Sequence, residues 1–240
     1  MGAQWKHAGR VENSSKRGAL IGKLVKEIIV SAKIGDPNPA NNSRLRAAVE
    51  AAKKASVPRD TIERGIKRGA GLLGDNIVYE MVTYEGFAPH RVPIIVECLT
   101  DNKNRTAADI RVLFRKGQLG SAGAVSWMFD RLGVIEATHA EKKDSEEAAI
   151  EAGAQNVEPL EASEIPPGHV GARFFCDPTD LDAVNKALTE AGWSISFSEL
   201  SYQAKNYMDL DSGAQKEVQD FLGSVDDNDD VHRIYTAIRN

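Results

Sequence analysis

Cysteine, long apolar runs and metal-spaced histidines are what this 240-residue chain has least of, and each shortage excludes a class of protein. The two cysteines, Cys98 and Cys176, stand 78 positions apart, inside the apolar runs IIVECL and ARFFCD. That count gives no basis for a disulfide framework or a cysteine-rich metal centre, and buried thiols are expected instead. No stretch approaches the roughly 18 apolar residues of a membrane span, and the start, MGAQWKHAGR, has no apolar h-region behind its basic residues. No membrane partner is expected, and the cytoplasm is the expected location. His7, His90, His139, His169 and His232 show no ligand spacing with one another or with the cysteines. No metal is therefore expected. Gly117, Gly120 and Gly123 of GQLGSAGAV lack the Lys-Ser/Thr end of a phosphate loop, so a tight turn before a strand is the better reading. Asp226, Asn228 and Asp230 occupy alternate positions of an EF-hand-like loop, but Val231 and Ala237 stand where its glycine and glutamate belong. Calcium binding has no support.

Charge is present, and it is unevenly placed. The net charge of -5 conceals 15 basic against 7 acidic residues over positions 1–75, and 15 against 28 over positions 76–240. A basic segment joined to an acidic body implies that the first meets polyanions, nucleic acid foremost, unless its lysines simply solvate helix faces.

The periodicity places an α+β fold on the chain: an N-terminal three-helix domain followed by two α+β domains, the last ferredoxin-like. In KRGALIGKLVKEIIVSAKIGDP, Leu20, Ile21, Leu24, Val25, Ile28, Ile29 and Ala32 recur at helical spacing and Gly35, Asp36 and Pro37 stop the helix. A second helix is expected from Asn42 or Ser43, carrying Leu45, Ala48, Val49 and Ala52 inward, and a third from about Pro58 to Arg68. These make a basic helical domain over 1–75. After AGLLGD the period becomes two: IVYEMVTY and VPIIVECL read as strands, the second too apolar to be anything but central. TAADIRVLFRK reads as a helix, and AVSWMFDRLGVIEA as strand, turn, strand. From Val134 the order strand, helix, strand, strand, helix, strand is the split βαβ arrangement. AQKEVQDFLGSV is a helix, while the pattern assigns nothing to DDNDDVHRIYTAIRN.

TDNKNRTAADIR, residues 100–111, is the densest polar stretch. Thr106 and Asp109 resemble a capping box, and Asp101 and Asn102 are turn formers. Lys103, Asn104, Arg105 and Arg111 are left beside a helix N-terminus that attracts anions. The stretch has no histidine or cysteine to serve as nucleophile or base, so turn and cap come first, anion or RNA contact second, and catalysis last.

LTDNKNRTAADIR, GQLGSAGAVSWMF, DLDAVNKALTEAG and DNDDVHRIY, in that order, resemble the YebC family of probable transcriptional regulators and mitochondrial translational activators, as do KRGALIGKLVKEIIVSAK and VPRDTIERGIKRGAG. The resemblance implies three domains: 1–75; a middle domain of 76–132 completed by the tail, 206–240; and an inserted ferredoxin-like domain, 133–205. It also implies a non-enzymatic protein that binds nucleic acid and carries no cofactor. The function expected is a transcriptional regulator that binds DNA through its basic N-terminal domain, with a ribosome-associated translation factor on ribosomal RNA as the alternative. The expected phosphate contacts are Lys16, Arg17, Lys23, Lys26, Arg44, Arg46, Lys53, Lys54, Arg64, Lys67 and Arg68, with Arg105 and Arg111 as a second patch. No catalytic residue is expected. EGFAPHRVP departs from the family's glycine-rich turn, EGYGPGGV, at Ala88, His90 and Arg91, and FRKGQLG is about two residues short of the usual FxKxGGxLG.

Overall fold

A computed structural model describes residues 14–74 and 79–238; Trp5, Lys6 and Asp75 lie outside the described residues. The chain forms two compact units, one of residues up to 27, 74–130 and from 202 onward, the other of 28–73 and 131–201. Helix α1 (Ser14–Ile34) contributes to both.

The first unit is built on an antiparallel sheet ordered β3-β1-β2-β8. Strands β1 (Glu80–Ala88) and β2 (Val92–Thr100) form a hairpin, paired from Glu80 opposite Thr100 to Ala88 opposite Val92. The VPIIVECL run is central, as its lack of a polar face requires: Ile94, Val96 and Cys98 enter one core and Ile95 the other. Over the first face lie α4 (Lys103–Leu113), through Ile110, and α7 (Ser212–Asp226), through Val218, Phe221, Leu222 and Val225. Phe114 meets Phe221 edge to face, with 5.4 Å between ring centroids. Val125, Phe129, Ala204 and Tyr235 cover the second face. The short β3 (Gln118–Leu119) borders β1, and β8 (Val231–Thr236) borders β2.

In the second unit α1 is joined by α2 (Ser43–Lys54) and α3 (Arg59–Gly69), and Ile28, Ile29, Ala32, Leu45, Ala48, Val49, Ala52 and Ile62 are buried as their spacing requires. Gly69 lies so close to the Ile29 carbonyl and Ala32 that a β-carbon has no room. Leu20, placed in the same stripe by spacing, is 41% exposed. The rest is the ferredoxin-like arrangement: β4 (Phe129–His139), α5 (Ser145–Ala152), β5 (Asn156–Pro159), β6 (Val170–Cys176), α6 (Leu181–Glu190) and β7 (Ser194–Ala204), in a sheet ordered β5-β6-β4-β7. Ile135, Phe174, Val184, Leu188 and Trp193 form its core.

The structure corrects two local expectations. The cap of α4 is Asn102, whose side chain accepts from the Arg105 N–H at 3.2 Å; Thr106, expected to cap, lies inside the helix, where its hydroxyl is drawn to buried partners. Phe129–His139 is one strand rather than the end of a strand-turn-strand, and Gly133 is in it because a β-carbon there would meet the Cys176 sulfur and Leu181.

Candidate nucleic-acid interface

Helix α2 begins where Asn42 accepts the Leu45 N–H at 3.0 Å, and burial of its Leu45–Ala52 stripe leaves Lys53 and Lys54 exposed. Arg44 and Arg46 are half-buried on the same helix. On α3, Ile62 and Gly65 face inward, Arg64 and Lys67 are exposed and Arg68 is half-buried. Lys53, Lys54, Lys67 and Arg68 occupy the last turns of their helices, where the macrodipole favours cations. Exposed acidic neighbours on these helices are local: Glu50 lies 2.6 Å from Lys53, and Glu63 is 2.7 Å from Arg59. Such exposed pairs hold weakly against a competing anion. Phosphate contacts, which a surface of this kind can make, carry little base selectivity.

The other expected contacts divide differently. Lys16 and Arg17 fall in the first turn of α1, and their side chains are outside what the structure describes. Lys23 and Lys26 do not point to open solvent: Lys23 Nζ donates to Asp226, to its carbonyl at 2.5 Å and its carboxylate at 3.0 Å. Lys26 Nζ donates to the Asp230 carboxylate at 2.8 Å and to the Asp229 and Leu99 carbonyls at 2.9 and 3.3 Å. Arg105 joins them, donating to Asp230 at 2.9 Å and to Asp101 at 2.9 Å. Arg111 is exposed.

Asp230 is thus the hub of the polar stretch. Its carboxylate, 5% exposed, receives Lys26, Arg105, the Thr106 hydroxyl at 2.9 Å and the Thr100 hydroxyl at 3.2 Å. Burial alone would raise its pKa, but the hydrogen bonds from Lys26, Arg105 and Thr106 outweigh it and bring the carboxyl down to about 2. TDNKNRT and DNDD therefore meet in space as a charge-compensated joint. The sequence places Asp230 in an EF-hand-like loop but hides its role as acceptor, because Lys26 is 204 positions away; the available signal is an acidic DNDD and a distant stretch holding Lys103 and Arg105.

A cleft of about 940 Å³ adjoins the joint, lined by Gly18, Gly22, Tyr79, Asp109 and residues 227–230. Among the described residues its lining has no serine, cysteine or histidine to act as a nucleophile or base. Both thiols are free and buried; burial pushes Cys98 up to about 12 and Cys176 to about 11, far from a reactive thiolate. Among the described residues no helix is long and apolar enough to cross a membrane.

Two family models match the chain: the TACO1/YebC protein N-terminal domain over residues 3–72, and the TACO1/YebC second and third domain over residues 79–238. A probable transcriptional regulatory protein of Pseudomonas syringae pv. tomato is 52% identical over 241 residues, covering 99% of each chain. One of the same description from Bdellovibrio bacteriovorus is 50% identical, covering 99% of this chain and 100% of the other. The crystal structure of a conserved hypothetical protein from Aquifex aeolicus superposes with a TM-score of 0.77 at 37% identity, covering 99% of this chain and 96% of that one.

Proposed function

Since the chain belongs to the TACO1/YebC family, we propose that it is a non-enzymatic regulator of gene expression that binds DNA through the exposed cations of α2 and α3. The observation that carries this reading is the contrast between two sets of basic residues. Lys53, Lys54, Arg64 and Lys67 face solvent with at most a local acidic neighbour, whereas Lys23, Lys26 and Arg105 hold the acidic loop. The first set takes the phosphates, with Arg44, Arg46 and Arg68 at its margin and Arg111 apart from it. The second set fastens the fold. The names of the Pseudomonas and Bdellovibrio relatives support regulation of transcription. The proposal keeps three domains, divided near residues 75 and 133, with the segment after 205 returning to the middle one, in a cytoplasmic protein.

A second reading, a translation factor on ribosomal RNA, is favoured by one feature: the excess of 28 acidic over 15 basic residues beyond position 75, which suits basic ribosomal proteins better than a DNA surface. Sedimentation of the tagged protein from its host lysate on a sucrose gradient, with and without DNase, separates the two. The DNA reading requires DNase-sensitive association outside the ribosomal fractions. Co-migration with a ribosomal subunit, insensitive to DNase and lost at high salt, would overturn it in favour of the second.

A further inference from the structure

The connection from β3 to β4 holds a side chain that the basic helices do not account for. Trp127 is 64% exposed, although the loop around it is fastened from behind. The Glu85 carboxylate of β1 accepts the backbone N–H groups of Gly123, Val125 and Ser126, each at 2.8 Å, and Val125 is fully buried against the sheet. The Trp127 indole N–H donates to the Ala124 carbonyl at 3.2 Å. The ring is therefore fixed in orientation with its one polar atom satisfied, and what it offers outward is π surface.

A protein partner anchored on tryptophan needs an apolar patch around it. None of the other large exposed apolar side chains of the described residues belongs to this loop, which is otherwise made of glycine, serine, alanine, the buried Val125 and Met128, which is half-buried against the core. Cations do lie at hand. Arg115 and Lys116 are exposed just before β3, and the Lys205 backbone N–H donates to the carbonyl of Met128, the residue after Trp127, at 2.9 Å; the Lys205 ammonium lies 3.4 Å from the Asp130 carboxylate in an exposed pair that a phosphate can displace. An exposed ring face with its polar atom satisfied, and a lysine held by its backbone to the next residue, suits an unstacked base and its phosphate.

We infer that Trp127 is a stacking platform for an unpaired base of single-stranded nucleic acid, with Lys205 taking the adjoining phosphate. The inference rests on the nucleic-acid reading above and adds the strand state of the ligand. It is tested on the full chain by measuring affinity for a short single strand and for a duplex of the same sequence, in W127A, W127F and K53E/K54E/K67E. W127A is expected to weaken single-strand binding by about 5- to 150-fold, the stacking worth of one base, without changing the salt slope or the duplex affinity. W127F keeps most of the binding, and the fluorescence quenching caused by the single strand disappears in it. Single-strand affinity equal to wild type in W127A overturns the platform. If the triple variant then still loses both ligands, the basic surface stands and only the platform falls; if the wild type binds neither ligand, both fall.

Discussion

At Asp230 one carboxylate answers two cations and two threonine hydroxyls in a nearly closed site, so Asp230→Asn leaves Lys26 and Arg105 facing a neutral amide. Its expected cost is about 2–4 kcal/mol, measured by denaturant unfolding. The pH dependence follows in sign. The folded pKa is depressed, so the contribution is complete above the unfolded value of about 3.9 and is lost as the pH falls through the folded value of about 2. Between about pH 5 and about pH 2, wild type should lose about 2 kcal/mol more than D230N; equal losses would mean that the carboxylate is not held by its partners. A second residue-scale case is Arg91, at φ 59 beside His90 at φ 60, in the turn where the family pattern has glycines. Left-handed backbone costs an L-residue about 1–2 kcal/mol, and glycine loses up to about 1 kcal/mol more chain entropy on folding. Arg91→Gly should therefore stabilise by about 0.5–1 kcal/mol, whereas His90→Gly gains less because His90 lies 2.9 Å from Glu217.

Among the elements, the loop before β4 depends on Glu85. Burial pulls its pKa upward, but the three backbone N–H donors prevail and hold it below the ordinary carboxylate value. Glu85→Gln should speed hydrogen exchange at Gly123, Val125 and Ser126 by about tenfold or more, and unchanged protection would show that the loop holds without it. Gly69→Ala should open the packing of α3 on α1, at a cost of about 1–3 kcal/mol, since the Ile29 carbonyl cannot withdraw without distorting its helix. The helices were legible because their signals are local: apolar spacing, Asn42 as a cap, Gly153 and Gly192 after α5 and α6. What escaped was set by distant partners. Strand β8 breaks the two-residue period because the register slips between Glu97 and Cys98, which puts Val231 and Ile234 on one face with His232 as the extra residue. The start of α4 shifted because buried Thr100 and Asp230 claim the Thr106 hydroxyl, and neither lies within the helix that Thr106 was expected to cap. The exposed basic set of α2 and α3 was legible as composition; that Lys23 and Lys26 are already engaged was not, since Asp226 and Asp230 come from the far end of the chain.

Over the whole molecule, the separation of charge sets what each part can approach: a polyanion is attracted to the first 75 residues and repelled by the remainder. The attraction acts through the exposed cations of α2 and α3, which lie on solvated helix faces and can be reversed without opening a core. The most direct measurement is the affinity of wild type and of K53E/K54E/K67E for duplex DNA and ribosomal RNA fragments over a range of salt, with thermal melts showing that both proteins are folded. Wild-type binding should fall linearly on logarithmic axes, and the triple variant should bind at least about tenfold more weakly, with a slope shallower by about two to three units. The same affinity and slope in the two proteins would contradict the claim and remove the basic helices from any role in binding nucleic acid.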